Sequence, residues 1–270
     1  MCALRTQESI VVGIDGSDAA INAAKWAVAE AVGRDIPLRL IHAIPDRPDA
    51  PAGEDSLDIE YGESALRTVT AALHAMAQPV KIDVDIVRGS PGSALIDESR
   101  HAAMICVGSV GIGRVARKVL GSTADAIARK AHCPAAIIRN NHGPAVADGW
   151  IAVVVDDSPG NDAVLEYGFR EARLRQGSIL ALGCWRWGLG EIPYRQLSHR
   201  LERWATQYPE VHVQPAAARG GVPEFLTGTE ELIQLVVVGG DQADEVARIV
   251  GPVTHHFSRH GGCSVLVARA

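Results

Sequence analysis

The chain lacks most of the features that mark secreted, membrane-spanning or zinc-binding proteins. Its five cysteines are an odd number and include no Cys-x-x-Cys pair, which argues against a disulfide framework and a zinc ribbon. The apolar runs are short and broken by charges, so no membrane span is expected. Met1–Ser9 is polar and lacks the apolar core of a signal peptide. These absences make the cytoplasm the expected location.

Positive charge and two common nucleotide-binding motifs are also missing. The formal net charge is −6, and no dense basic stripe occurs, so a nucleic-acid partner is not expected. No Gly-Lys-Ser or Gly-Lys-Thr is present, which excludes a P-loop lysine. The turn after the first apolar run, Gly13–Ser17, reads GIDGS and not the GxGxxG of dinucleotide-binding folds.

The 270 residues suffice for two domains of about 130 residues each, and an internal duplication favours that division. Ile151–Ser158 repeats the pattern of Ile10–Ser17 and aligns Asp156 with Asp15. A polar segment rich in Gly and Pro lies between the copies. We therefore expect one domain over residues 1–142 and a second over residues 148–270.

Within each half, short apolar runs alternate with segments of helical periodicity. In the first half the expected strands are 9–15, 38–44, 80–88, 103–107 and 135–139, and the expected helices are 19–32, 58–78, 93–101 and 122–131. Residues 45–57 are rich in Pro, Asp, Ala and Gly and are expected to form an exposed loop. This order predicts an α/β fold of two tandem, doubly wound, Rossmann-like parallel sheets, which bind ligands beyond the carboxyl ends of their strands.

One glycine-rich stretch carries the clearest functional signal. Val107–Gly113 reads VGSVGIG directly after a buried strand, and Gly121-Ser122-Thr123 begins the next helix. Glycine lets backbone N–H groups approach a ligand closely, and a helix N-terminus favours an anion. We expect the hydroxyl of Ser122 or Thr123 to cap that helix. The stretch predicts a phosphate cradle, with Asp15 at the same edge of the sheet.

The spacing of Gly108, Gly111 and Gly121-Ser122 resembles the nucleotide signature of the universal stress protein family, in its ATP-binding branch. The duplication resembles the tandem-domain, actinobacterial type of that family. The resemblance implies that ATP, possibly with Mg²⁺, is held in the first half. The residues that it implies are Gly13, Asp15, Ile41, Val107, Gly108, Ser109, Val110, Gly111, Ile112, Gly113, Gly121, Ser122 and Thr123. Asp15 would meet the ribose or a Mg²⁺ ion, and Ile41 would flank the adenine.

The same resemblance implies a stress-response regulator in which the nucleotide acts as a switch or sensor. It further implies a regulatory protein partner, a homodimer, and pairing of the two halves through their last strands. The alternatives are a slow ATPase or phosphoryl or nucleotidyl transferase using the same pocket, and an interaction module without a ligand. No catalytic residue is predicted, because no nucleophile elbow occurs.

The second half departs from the signature. Opposite Gly108–Gly111 it reads Gly-Gly-Asp-Gln at residues 239–242, and Val154 stands opposite Gly13. Pro252 removes a backbone donor near the start of its last helix. We therefore expect the second cradle to be degraded. His42 is interpreted as a polar wall residue, and Cys133 and Cys263 as buried thiols, with redox sensing as the alternative.

Overall fold

The computed structural model describes residues 8–46, 54–111, 120–139, 149–183, 193–218, 220–251 and 263–269. The chain divides into two compact units, the first made of residues 1–116 and 121–140 and the second of residues 117–120 and 141–270. The expected boundaries at 142 and 148 stay a prediction, because residues 140–148 lie outside the described residues.

In the part of the first unit that the structure describes, five strands form a parallel sheet covered by four helices. Its strands are β1 (Ile10–Gly13), β2 (Leu38–Ile44), β3 (Ile82–Arg88), β4 (Met104–Gly108) and β5 (Ala135–Ile138). Its helices are α1 (Asp18–Arg34), α2 (Glu54–His74), α3 (Pro91–Glu98) and α4 (Ser122–Lys130). The strand order is β3-β2-β1-β4-β5 and every pair is parallel.

The second unit repeats this arrangement. Its strands are β6 (Trp150–Val155), β7 (Ile179–Gly183), β8 (Val213–Ala217), β9 (Ile233–Gly239) and β10 (Ser264–Ala268). Its helices are α5 (Asn161–Arg175), α6 (Pro193–Gln207), α7 (Val222–Gly228) and α8 (Val246–Val250), with a 3₁₀ helix over Gly240–Glu245. The order β8-β7-β6-β9-β10 is also parallel throughout and matches that of the first unit. The predicted fold of two tandem α/β parallel sheets is confirmed.

The burial of the strands explains why their sequences are almost wholly apolar. β4 and β5 are buried along nearly their whole length, as expected for strands covered on both faces. β3 lies at the edge of its sheet, and Val84 is 51% exposed there. Within the described part of the chain, no helix is long and apolar enough to span a membrane.

The expected loop over residues 45–57 is wrong at its C-terminal end, because α2 begins at Glu54. Glu54, Asp55 and Asp58 lie in the first turns of the helix, where the positive end of the helix dipole favours acids. Acidic residues of the expected loop therefore belong to the start of the helix. Residues 47–53 lie outside the described residues. The strand ends agree with expectation to within about two residues, the usual uncertainty of such ends.

Two glycines at strand ends allow helices to approach opposite faces of the first sheet. A Cβ atom on Gly108 would lie 2.7 Å from the carbonyl carbon of Ala19 in α1. A Cβ atom on Gly13 would lie 2.6 Å from Cδ1 of Leu95 in α3. Both distances are shorter than carbon atoms tolerate, so α1 and α3 occupy the space that side chains would need. Gly108 is required for packing because it faces backbone, whereas Gly13 faces the end of a leucine side chain that can move.

We predict that Gly108→Ala destabilises the first unit by about 1–3 kcal/mol, the usual cost of forcing a methyl group into a packed core. The atom that would be struck belongs to the backbone of α1, which cannot rotate away. Gly92→Ala in α3 is the matched control, because its Cβ would lie 3.5 Å from Ala126 at an ordinary contact distance. Urea unfolding followed by circular dichroism measures both, and equal midpoints for the two variants would contradict the packing role.

Candidate functional site

A cavity of about 300 Å³ opens at the carboxyl edge of the first sheet. The ends of β1, β2 and β4 and the first turns of α3 and α4 surround it. Most of the predicted residues line this cavity: Gly13, Asp15, Ile41, Val107, Gly108, Val110, Gly111, Gly121, Ser122 and Thr123. Ser109 is buried beneath the loop and is not part of the lining. Ile112 and Gly113 lie outside the described residues, as do Arg114, Arg117 and Lys118.

Sequence reasoning missed part of the wall. Pro91 and Leu95 of α3 line the cavity, together with Ile14, Ala20, Ala43 and Ala124, and His42 lines it as the predicted wall residue. A signal for α3 was available, since Ser90 accepts a hydrogen bond from the Ser93 N–H and Pro91 opens the helix. A helix that starts directly after a strand must begin at the edge where the ligand site lies.

The carboxylate of Asp15 is held in a defined orientation beside the β4 loop. Its Oδ1 accepts hydrogen bonds from the Ser17 N–H at 2.9 Å and from the Ser17 hydroxyl at 2.6 Å. Its Oδ2 would lie only 2.6 Å from a Cβ atom on Gly111. The carboxylate therefore occupies the space that a side chain at residue 111 would need. The tight turn depends on Gly16, whose φ of 87° favours glycine.

The loop after β4 is closed by two backbone hydrogen bonds. The Ser109 N–H donates to the Ile138 carbonyl at 2.8 Å, and the Gly121 N–H donates to the Ser109 carbonyl at 2.9 Å. These two N–H groups are therefore engaged within the protein. A Cβ atom on Gly121 would lie 3.4 Å from the Ser109 oxygen, an ordinary contact. Gly121 leaves space at the cavity wall and is not itself required for packing.

The start of α4 differs from the expected serine or threonine cap, and that prediction is wrong. Gly121 occupies the N-cap position and makes no side-chain hydrogen bond, while Ser122 and Thr123 are already helical. A glycine can take the cap conformation but offers no oxygen to the first-turn N–H groups. The positive end of the helix dipole therefore borders the cavity without a side-chain cap.

A partly buried ion-pair cluster fixes the C-terminal end of α3 against the sheet. Arg39 of β2 pairs with Asp85 of β3 at 2.5 Å and with Glu98 at the end of α3. Burial lowers the pKa of Arg39, but the hydrogen bonds and charges of Glu98 and Asp85 outweigh it and raise that pKa above its ordinary value. The guanidinium is charged at any physiological pH. It links α3, which carries Pro91 and Leu95 of the wall, to two strands.

At the corresponding edge of the second unit, a glutamine side chain bonds to the acid that aligns with Asp15. Asp156 keeps the turn of Asp15, since its Oδ1 accepts from the Ser158 N–H at 2.8 Å. The position aligned with Gly111 carries Gln242, whose amide nitrogen donates to Asp156 Oδ2 at 3.4 Å. The Gln242 amide oxygen accepts from the Gly239 N–H, also at 3.4 Å. This side chain therefore occupies the space that glycine leaves open in the first unit.

The comparison with known proteins decides the family. The model of the universal stress protein family matches residues 7–139. One universal stress protein of Mycobacterium tuberculosis is 47% identical over 266 residues, covering 98% of this chain and 97% of the relative. Another from the same organism is 38% identical and covers 96% of this chain and 95% of the relative.

The chain belongs to the universal stress protein family. The crystal structure of a universal stress protein from Archaeoglobus fulgidus has the same fold, with a TM-score of 0.72 over 97% of this chain and 96% of that chain at 16% identity. The resemblance predicted from Gly108, Gly111 and Gly121-Ser122 is thus confirmed at the level of the family, and the tandem arrangement extends over almost the whole chain.

The described residues contain no group of three or more His, Cys, Asp or Glu side chains that could hold a metal ion. Asp15 offers a single carboxylate at the cavity, whereas Mg²⁺ takes six oxygen ligands. A magnesium ion at Asp15 would therefore depend on oxygens of the ligand and water. Cys133 and Cys263 are buried and form no disulfide bond within the described residues, as the prediction of buried thiols requires.

We predict that Arg39→Ala destabilises the first unit by about 1.5–3 kcal/mol, because the partly exposed carboxylates of Asp85 and Glu98 lose their shared counter-ion and its hydrogen bonds. Arg67→Ala is the control, since that arginine pairs with Glu63 on the exposed face of α2 and is 70% exposed. Exposed pairs of this kind contribute less than about 1 kcal/mol. Urea unfolding of both variants tests the difference, and similar losses would contradict a structural role for the cluster.

Proposed function

We propose that this chain is an ATP-binding regulatory protein of the stress response, in which nucleotide bound to the first unit acts as a switch or sensor. The proposal rests on one observation: one part of the cavity wall is apolar and another part is polar. Ile41, Leu95 and Val107 contribute apolar walls, whereas Asp15 and the uncapped start of α4 contribute polar ones. A nucleotide has the same division, with an apolar base and anionic phosphates.

The geometry of the glycine positions supports phosphate binding at the start of α4. First-turn N–H groups without a side-chain acceptor favour an anion, and the Ser122 and Thr123 hydroxyls lie in the same wall. Gly111 and Gly121 keep side chains out of the approach. Asp15 would contact the ribose or a Mg²⁺ ion that the phosphates also hold. The cavity volume of about 300 Å³ lies at the lower end of the usual range for ligand sites.

The first experiment substitutes Gly121 by glutamate. A carboxylate at this wall would stand in the phosphate position, and like charges brought together cost several kcal/mol, so Gly121→Glu should weaken ATP binding by about a hundredfold or more. The fold should persist, because a Cβ here meets only ordinary contacts. Calorimetric titration with ATP measures the affinity.

The control for that experiment is Gly160→Glu, which adds the same charge in the second unit, where a Cβ would meet nothing within 4 Å. It should bind ATP as the unsubstituted protein does. If folded Gly121→Glu protein binds ATP with unchanged affinity, the assignment of the phosphates to this wall is wrong. If the unsubstituted protein binds no ATP, the proposed function itself fails.

We also predict one ATP site per chain. A nucleotide entering the second unit would have to displace the Gln242 amide from Asp156 and Gly239, and it would meet the Asp241 carboxylate beside Gly239. The first unit has glycine where Gln242 stands. Calorimetry and mass measurement of the intact complex should both give a ratio near one. Two sites of similar affinity would contradict this asymmetry.

Four further expectations stay predictions. The homodimer, the pairing of the two halves and the regulatory protein partner follow from the resemblance to the family, and the cytoplasmic location follows from the composition of the sequence.

A further inference from the structure

Two side chains hold the backbone of the turn that carries Asp15. The Tyr61 hydroxyl donates to the carbonyl oxygen of Asp15 at 2.9 Å. Nδ1 of His42 lies 2.7 Å from the carbonyl oxygen of Ile14. Because a carbonyl oxygen only accepts, Nδ1 of His42 carries a hydrogen. Both peptide groups next to the Asp15 Cα are therefore hydrogen-bonded by aromatic side chains from outside the turn.

The two rings and one glycine form a compact contact between α2 and β2. The ring centroids of His42 and Tyr61 are 5.7 Å apart, with the ring planes tilted by 59°. A Cβ atom on Gly62 would lie 2.6 Å from Cδ2 of His42, so glycine allows α2 to approach the imidazole. His42 is 7% exposed and Tyr61 is 49% exposed. We call Tyr61, Gly62 and His42 the α2 clasp.

Tyr61 and Gly62 of the α2 clasp belong to a helix that is packed firmly against the core. Ala65, Leu66, Val69 and Leu73 follow Tyr61 along α2 and are all buried. The Tyr61 hydroxyl is consequently presented from a rigid element, not from a loop. A hydrogen bond from such a donor limits rotation of the peptide group that follows the Asp15 Cα, and with it the direction of the carboxylate.

In the second unit, different side chains contact the corresponding turn, which begins at Asp156. Arg200 of α6 pairs with the carboxylates of Asp157 at 3.6 Å and Asp162 at 3.3 Å. These contacts reach the side chain of one residue inside the turn and of one residue in α5, whereas Tyr61 reaches the backbone of the acid itself. The bond from Tyr61 to the backbone of the acid thus occurs in the unit that has the described cavity. The ion pairs of Arg200 occur in the unit where Gln242 bonds to the aligned acid.

We propose that Tyr61 is a positioning residue for Asp15 and thereby sets the affinity of the first unit for nucleotide; this rests on the proposed function. The carboxylate must face the ligand while Oδ1 stays bonded to Ser17. Tyr61 holds the carbonyl side of the same residue, so carboxylate and backbone are fixed together. Tyr61 itself does not line the cavity and acts through Asp15.

The test removes one oxygen atom. Tyr61→Phe keeps the ring against His42 but loses the hydroxyl, and ATP affinity measured by calorimetry should fall about fivefold, the usual effect of losing one neutral hydrogen bond. Tyr167→Phe is the matched control: it removes the same atom from a partly exposed tyrosine in α5 and should leave affinity unchanged. Tyr61→Phe should remain folded, and its unfolding midpoint should fall only by the small amount that one partly exposed hydrogen bond contributes.

A second readout works without nucleotide. The Ser17 N–H donates to Asp15 Oδ1, so its hydrogen exchange in the ligand-free protein reports how well the carboxylate is held. Exchange should be faster in Tyr61→Phe and unchanged in Tyr167→Phe. Gly62→Ala, which would displace the His42 ring, should raise the same exchange rate.

The two readouts separate the failure of this inference from the failure of the proposed function. Unchanged Ser17 exchange in Tyr61→Phe overturns the positioning role, whether or not ATP binds. Faster exchange with unchanged ATP affinity overturns the claim that positioning sets affinity. If the unsubstituted protein binds no ATP, the proposed function and the affinity claim both fail, and the exchange rate still decides whether Tyr61 positions Asp15.

Discussion

The close approach of the Asp15 carboxylate to Gly111 is the contact on which the first cavity depends. A carboxylate at the end of β1 and a loop after β4 meet at the edge of a parallel sheet, and they can do so only because residue 111 has no side chain. In the second unit, the aligned position carries Gln242, which bonds to Asp156 and to the Gly239 N–H. The aligned position is thus a glycine beside the cavity of the first unit and a side chain bonded to the aligned acid in the second unit.

The glycines that line the cavity have different structural roles, although they look alike in the sequence. Gly108 lets the backbone of α1 approach the sheet, so it is needed for packing whether or not a ligand is bound, and Gly13 gives space to the side chain of Leu95 in α3. Gly111 accommodates a carboxylate. Gly121 takes the N-cap position of α4, and because it has no side chain it leaves space at that wall of the cavity. A single motif therefore combines fold stability with ligand access, which explains why its spacing identifies a family.

Sequence reasoning succeeded where a local pattern has one structural solution. Apolar runs such as Leu38–Ile44 became strands with the expected bounds, because a buried parallel strand needs apolar side chains on both faces. It was wrong at the start of α2, where acidic residues suit both a loop and a first helical turn. It was also wrong at α4, where serine and glycine are both acceptable caps and only the folded backbone shows that Gly121 takes that position.

The sequence by itself determined the duplication, the α/β class, the family and the asymmetry between the two glycine motifs, since all of these depend on periodicity and spacing along the chain. Only the tertiary structure decided that Leu95 packs over Gly13, that Arg39 binds Asp85 and Glu98, and that Tyr61 and His42 hold the turn of Asp15. Tyr61 lies 46 residues from Asp15. Contacts of this kind leave no local pattern, because they arise where separate helices and strands meet at the edge of a folded sheet.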